Sequence, residues 1–136
     1  MEGINGVVFQ SALTKHTREV YGGDLGAIKK RGVLRVIMPS NSSSFFLYRG
    51  QPMGFQYELA QKLAASLGVR LDAVAPVRQA RMLRHLERGR VDVVAAVLAV
   101  TPEREERASF SPPLLEVDEV VVQPAAEPPL ADHDDV

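Results

Sequence analysis

The chain has 136 residues, of which 46% are hydrophobic and 24% are charged, and this suits one small globular domain with its own core. Its formal net charge of −1 gives no reason to expect a nucleic acid or an anionic membrane as partner. It contains no cysteine, which excludes disulfides, thiolate zinc sites and a cysteine nucleophile.

The two ends of the chain differ in composition from the middle. Residues 1–22 show no clear hydrophobic period and are interpreted as a leader that is poorly ordered or loosely docked. They lack the basic start and apolar core of a secretory signal. Residues 124–136 are rich in proline and acidic residues. We therefore expect the folded unit to occupy residues 23–123.

The first predicted elements are a short helix and a strand. Asp24 predicts the N-cap of a helix over residues 25–31, and Gly32 ends that helix. A strand over residues 33–38 follows, and a proline stops it before the polar loop 40–44.

The middle of the chain alternates between helical and strand-like periods. Apolar residues recur at helical spacing between Gly54 and Gly68, and residues 71–77 then alternate like a strand. Residues 78–88 predict a second amphipathic helix. The run 91–100 is apolar on both faces, as expected of a strand in the middle of a parallel sheet. The apolar positions that define the two helices are Phe55, Leu59, Leu63 and Leu67, with Ala60 and Ala64 beside them, and then Met82, Leu83 and Leu86, which are expected to face inward.

The order of elements predicts the fold class. A short helix capped by Thr101 and a strand over residues 117–122 complete a β-α-β-α-β core plus hinge strand. Strands separated by single helices predict right-handed crossovers and a parallel, three-layer α/β domain. Ligands of such sheets bind beyond the carboxyl ends of the strands. The loop 40–44 and the segment 101–104 are both expected at that edge.

Arg104 is the first candidate binding residue. A guanidinium grips a carboxylate or phosphate through two parallel hydrogen bonds. Thr101, as the N-cap, leaves backbone N–H groups pointing outward, which also favours an anion. The alternative is that Arg104 pairs with neighbouring carboxylates on a solvated helix. Those carboxylates are Glu103, Glu105 and Glu106.

The polar loop is the second candidate. Ser40, Asn41 and Ser42 offer hydroxyl and amide groups to a pocket. Phe45 and Phe46 follow, and we expect one to pack in the core and the other to line the pocket. The alternative is a flexible turn with both rings in the core.

The residues give no positive case for an enzyme. The histidines, His16, His85 and His133, share no metal-ligand spacing, and no Ser/His/Asp arrangement, phosphate loop or paired-carboxylate cleft is present. We therefore predict no catalytic residue, no metal and no cofactor.

Three motifs in combination resemble the bacterial extracellular solute-binding proteins of family 3. They are GF-x-x-EL-A at residues 54–60, G-x-V-D at 89–92, and T-P-E-R followed by F-S-x-P over 101–113. The solute-binding module of lytic transglycosylase F-like proteins is especially similar. The resemblance covers about residues 23–130 and implies the type 2 periplasmic binding fold.

The resemblance also implies roles for particular residues. In amino-acid-binding members the arginine of the T-x-x-R motif, here Arg104, clamps the ligand's α-carboxylate. The end of the third strand, here Val97 and Ala99, contributes backbone contacts and usually a hydroxyl, which Ala99 lacks. The acidic residue that many members carry after the first strand is not evident either. These departures argue against a standard amino-acid ligand.

Family members have two lobes, and this chain resembles the first lobe, with residues 124–136 as the start of a second. The resemblance implies a periplasmic or extracellular location, whereas the missing signal allows a cytoplasmic one. We therefore expect a lobe that binds a small carboxylate-bearing solute, such as an amino acid or peptidoglycan fragment. A transporter permease or a fused domain would be its partner in a longer relative. The alternative is a homodimeric interaction module, built on an exposed apolar edge, that has lost ligand binding.

Overall fold

The computed structural model describes residues 20–75, 79–118, 120, 122 and 124. The expected leader therefore lies outside the described residues except for 20–22, and the tail lies outside them except for residue 124. The elements in chain order are α1 (Leu25–Arg31), β1 (Val33–Ile37), β2 (Phe46–Tyr48), β3 (Gln51–Met53), α2 (Phe55–Leu67), β4 (Arg70–Val74), a 3₁₀ turn (Gln79–Arg81), α3 (Met82–Glu87), β5 (Val93–Val94) and α4 (Pro102–Glu105).

The central sheet has three parallel strands in the order β4-β1-β5. Val33 lies opposite Arg70 at one end of the β1–β4 pair, and Ile37 lies opposite Val94 in the β1–β5 pair. Parallel strands require crossover connections, and α2 and α3 are those crossovers. The predicted β-α-β-α-β order is confirmed by this topology.

Helices cover both faces of the sheet, so the domain has the three predicted layers. On one face Leu34, Val36 and Met38 of the first strand region pack with Ala60 and Ala64 of α2. On the other face the core is smaller, and its buried members are Ile37, Val74, Met82 and Val91. The alternation follows from the two-residue period of a strand, which sends successive side chains to opposite faces.

Helix α2 turns a different face inward from the one that its large residues suggest. Ala60 and Ala64 are buried, whereas Phe55, Leu59 and Leu63 are more than a third exposed. Small residues at the contact let the helix lie close to the sheet, and the leucines one position away are left on the outer side. The spacing predicted the helix correctly but not its orientation.

Several predicted elements are shorter than expected. The strand 91–100 is reduced to Val93–Val94, because β1 ends at Ile37 and the last ladder bond runs from the Ala95 amide to the Ile37 carbonyl. The helix 78–88 begins only at Met82, after the 3₁₀ turn. The strand 71–77 is Arg70–Val74, and residues 76–78 lie outside the described part.

The predicted hinge strand does not form at the residues that can be seen. Residues 117, 118, 120 and 122 carry no strand pairing, and residues 119 and 121 lie outside the described part of the chain. Conversely, the sequence analysis did not predict the antiparallel hairpin of β2 and β3.

A buried ion cluster joins α1, β1 and β5 at the amino end of the sheet. Arg35 is only 1% exposed, and both its backbone N–H and its guanidinium donate to the Asp92 carboxylate, at 2.8 Å each. The Arg31 guanidinium donates to the same carboxylate. The Tyr21 ring lies 4.6 Å from the Arg31 guanidinium carbon and 4.9 Å from that of Arg35. This cluster explains the aspartate of the G-x-V-D motif, which ties the turn before β5 to the neighbouring strand.

Candidate functional site

The carboxyl edge of the sheet brings the two candidate segments onto neighbouring strands. Because β1 and β5 are parallel neighbours, the chain leaves both at the same edge. The polar loop follows β1, and the segment that carries Thr101 and Arg104 follows β5. In parallel sheets this edge is where ligands commonly bind, so the two segments are the candidate site.

Asn41 organises the polar loop. Its Oδ1 accepts hydrogen bonds from the Ser43 amide at 3.0 Å, the Ser43 hydroxyl at 3.1 Å and the Ser44 amide at 2.6 Å. The Asn41 backbone also donates to the Phe45 carbonyl at 3.0 Å. These hydrogen bonds close the loop into a turn. Ser40 and Ser42 are exposed beside it.

The same loop caps the first turn of α2. The amides of Phe55 and Tyr57 donate to the carbonyls of Ser43 and Ser44 at 2.7 and 3.2 Å, which satisfies two donors that a helix start leaves free. Gly54 makes this approach possible. Its φ is 131°, and an added Cβ would lie 2.3 Å from the Ser44 carbonyl oxygen. The glycine of GF-x-x-EL-A thus fixes the loop against the helix.

The two phenylalanines differ in burial, and only Phe45 is in the core. Phe45 is 5% exposed, and its ring centroid lies 5.6 Å from that of Tyr57 on α2. Phe46 is half-buried at the start of β2, and Leu47 and Tyr48 beyond it are exposed.

Arg104 is held by its own segment. The Thr101 hydroxyl caps α4 by accepting from the Arg104 amide at 3.3 Å, and Pro102 occupies the first helical position. One terminal nitrogen of the guanidinium donates to the Ala99 carbonyl at 2.8 Å. Ala99 therefore contributes a backbone oxygen that orients the arginine. Both Ala99 and Val97 are exposed and lie beyond β5, not within a strand.

Arg107 is a residue that the sequence analysis missed. Its guanidinium forms two hydrogen bonds with the Glu87 carboxylate on α3, at 2.6 and 3.0 Å. The hydrogen bond from Arg107, with a smaller opposing effect of desolvation, lowers the pKa of Glu87. This ion pair links the arginine-bearing segment to α3, and no periodicity in the sequence indicates it.

The hydrogen bonds around Arg104 and those around Asn41 stay within their own segments. Within the described residues, no group of three His, Cys, Asp or Glu side chains could hold a metal ion. A shallow open groove of about 480 Å³ lies elsewhere, lined by Pro52, Glu58, Gln61, Lys62 and Ala65 on and near α2. It has no part in the carboxyl-edge arrangement.

The sequence profile of the bacterial extracellular solute-binding proteins, family 3, matches residues 34–134. The chain belongs to this family. The match covers the sheet, the polar loop and the arginine-bearing segment. The three-layer parallel architecture is that of the type 2 periplasmic binding proteins, as the similar solved structures also indicate.

Among curated relatives, the membrane-bound lytic murein transglycosylase F of Desulfosudis oleivorans is 39% identical over 93 residues, which are 68% of this chain and 20% of the relative. The chain thus spans about a fifth of the length of such relatives. Within the described residues, no helix is both long and apolar enough to cross a bilayer.

Two solved structures show the likeness of fold. The ancestral amino-acid-binding protein AncCDT-1, a precursor of cyclohexadienyl dehydratase, is 34% identical with a TM-score of 0.54, over 60% of this chain and 37% of that one. The arginine-bound form of domain 1 from TmArgBP is 29% identical with a TM-score of 0.55, over 62% of this chain and 67% of that one.

Proposed function

We propose that residues 23–123 form the first lobe of a solute receptor or sensor that binds a small carboxylate-bearing ligand, either an amino acid or a peptidoglycan fragment. The observation that supports the proposal is the local geometry of Arg104, in the segment that follows the parallel strand β5. There the Ala99 carbonyl orients its guanidinium and Thr101 fixes its backbone.

The geometry supports a carboxylate as the recognised group. A guanidinium has five N–H donors, so the bond to Ala99 leaves donors for a bidentate carboxylate. The exposed hydroxyls of Ser40 and Ser42 follow the neighbouring strand and supply further polar contacts. Phe46, half-buried at the foot of the hairpin, is the proposed apolar wall.

A single lobe is a sufficient unit for weak binding. Domain 1 of TmArgBP is described in an arginine-bound form, so a lobe of this fold holds an amino acid. In the two-lobed proteins of this type closure of a second lobe adds contacts and excludes water. We therefore expect this chain to bind with an affinity in the millimolar range, roughly −4 kcal/mol.

The partner of the lobe follows from its relatives. The transglycosylase relatives are about five times longer than the matched segment, and they are named as membrane-bound enzymes. We propose that this lobe senses a cell-wall fragment or amino acid on the periplasmic or extracellular side and reports to a fused domain or a permease. Catalysis is not part of the proposal, because the matched family consists of solute-binding proteins.

A second candidate function is a homodimeric interaction module. Leu114, Leu115, Val117, Val120 and Val122 are each more than half exposed, and they form an apolar run after the arginine-bearing segment. This run is what favours an interaction role over ligand binding.

An amide-resolved NMR titration with L-arginine, L-glutamate and muramyl dipeptide tests the proposal. We expect shift changes over residues 40–46 and 99–104 with one of these probes, and their loss in Arg104→Ala. The matched control is Arg70→Ala, which removes an exposed guanidinium at the start of β4, on the opposite edge of the sheet. A response that Arg104→Ala leaves intact, or no response to any probe, would overturn the proposal.

A further inference from the structure

Helix α3, its two caps and the turn after it carry a surface made of arginines, with Arg81 as the N-cap and Arg88 as the C-cap. Arg81, Arg84 and Arg88 stand at positions i, i+3 and i+7, which places them on one side of the helix, and Arg90 follows in the next turn. Arg81, Arg84 and Arg88 are all exposed, and Arg90 is half-exposed. We call these four residues the arginine face.

The arginine face has no carboxylate of its own. Glu87 on the same helix is held by Arg107, and Asp92 beyond it is held by Arg35 and Arg31. None of the four arginines forms an ion pair within the part of the chain that the structure describes. The net charge of −1 for the whole chain therefore conceals a strong local excess of positive charge.

The pKa of His85 reflects the positive charge of this surface. Its pKa is lowered first by burial and then by the charges of the four arginines, because a second positive charge is unfavourable beside them. All four arginines therefore act at one point of α3.

The arginine face lies on one helix and its following turn, so it offers separate guanidiniums to several anionic groups at once. The apolar side chains Met82 and Leu86 of the same helix pack in the core, so they are not available for apolar insertion into a partner. On an anionic lipid surface, several arginines that have no ion-pair partner can each contact a different lipid phosphate. Recognition of one acidic protein would instead call for a groove or an apolar centre.

We propose that the arginine face docks this lobe on an anionic phospholipid surface. The proposal is independent of the ligand site, because none of the four arginines belongs to the segments at the carboxyl edge of the sheet. Docking through α3 would hold the lobe at a fixed orientation to the bilayer. The carboxyl edge of the sheet would then have the same orientation to the membrane in every copy of the protein.

The test is co-sedimentation of the full chain with vesicles. We expect binding to vesicles of 30% phosphatidylglycerol in phosphatidylcholine at low salt, and its loss in 0.5 M NaCl, where charges more than a few ångströms apart are screened. Phosphatidylcholine vesicles alone should not bind. The double variant Arg84→Gln/Arg88→Gln should lower the partition coefficient about thirtyfold, since each arginine near such a surface contributes about fivefold.

A matched control removes two charges elsewhere. Arg49→Gln/Lys62→Gln lowers the net charge by the same amount on the hairpin and on α2, and it should bind as the wild type does. Three results would each overturn the proposal: no binding by the wild type, equal loss in both double variants, or capture by poly-L-glutamate with no binding to vesicles. The last result would assign the face to an acidic protein.

Discussion

At the scale of single residues, the Asp92 carboxylate ties the turn before β5 to α1 and β1. Its carboxylate accepts N–H groups from the backbone and side chain of Arg35 and from the side chain of Arg31. Asp92→Asn removes the charge that balances two guanidiniums, one of them fully buried. We expect a loss of about 3–5 kcal/mol in the free energy of unfolding at pH 7, measured by urea denaturation.

A matched control and a pH series separate the contribution of the Asp92 charge to stability from the contribution of its packing. Glu87→Gln breaks an exposed ion pair and should cost much less. Burial raises the pKa of Asp92, but hydrogen bonds from Arg35 and Arg31 outweigh it, so the folded-state pKa lies below the ordinary 3.8. The stabilisation is therefore fully present above about pH 4 and is lost as the pH falls through the folded pKa. The difference between wild type and Asp92→Asn should shrink at pH 3, and a difference that is constant from pH 7 to 3 would contradict this account.

At the scale of elements, α2 shows why a helical spacing does not fix which face is buried. The outer stripe of Phe55, Leu59 and Leu63 is exposed, and the alanines one position away contact the sheet. Leu63→Gln should therefore change the free energy of unfolding by less than about 0.5 kcal/mol. Ala64→Leu, which forces four heavy atoms toward the sheet where one methyl fits, should cost about 1–3 kcal/mol. Thermal or urea denaturation of the two variants decides the orientation, and the reverse order of stabilities would show it to be wrong.

The boundaries of the helices could be predicted from the sequence, whereas those of some strands could not. The helix ends followed from local chemistry, because Asp24 caps α1 and glycines in the left-handed region end α1 and α2. The length of β5 could not be predicted from local chemistry. An apolar run pairs only as far as its neighbouring strand extends, and β1 stops at Ile37. The hairpin was missed because its strands are three residues each, too short for a period to appear.

At the scale of the whole molecule, the candidate site was predictable as a region and not as a set of contacts. Parallel topology predicts that the chain leaves β1 toward the polar loop, and β5 toward the segment of Arg104, at the same edge of the sheet. The bond from Arg104 to the Ala99 carbonyl, the three bonds to Asn41 Oδ1 and the Glu87–Arg107 pair depend on backbone positions that no sequence spacing specifies. The order of strands and helices can be predicted from patterns of residue type, whereas the geometry of a binding site depends on the three-dimensional positions of the backbone.

The described part of the molecule also exposes five apolar side chains after α4, each by more than half: Leu114, Leu115, Val117, Val120 and Val122. These residues follow α4, and exposed apolar surface that is contiguous commonly marks an interface. A two-fold dimer would let each copy cover the other's run, because an isologous interface uses the same patch twice. We therefore expect the wild-type chain to shift from monomer to dimer between about 10 μM and 1 mM in sedimentation velocity, the weak-affinity range expected of a small transient interface.

Two double variants test whether the run itself causes the association. Leu114→Ser/Leu115→Ser should stay monomeric across the concentration range, because it removes the two largest apolar side chains of the run. Leu47→Ser/Leu63→Ser removes two leucines of similar exposure from the hairpin and α2, and it should dimerise as the wild type does. A wild type that is monomeric at every concentration would contradict the prediction and remove the support for an interaction module. A dimer that still binds ligand through Arg104 would instead show that the chain both dimerises and acts as a receptor. This is possible because the apolar run and the ligand site share no residue.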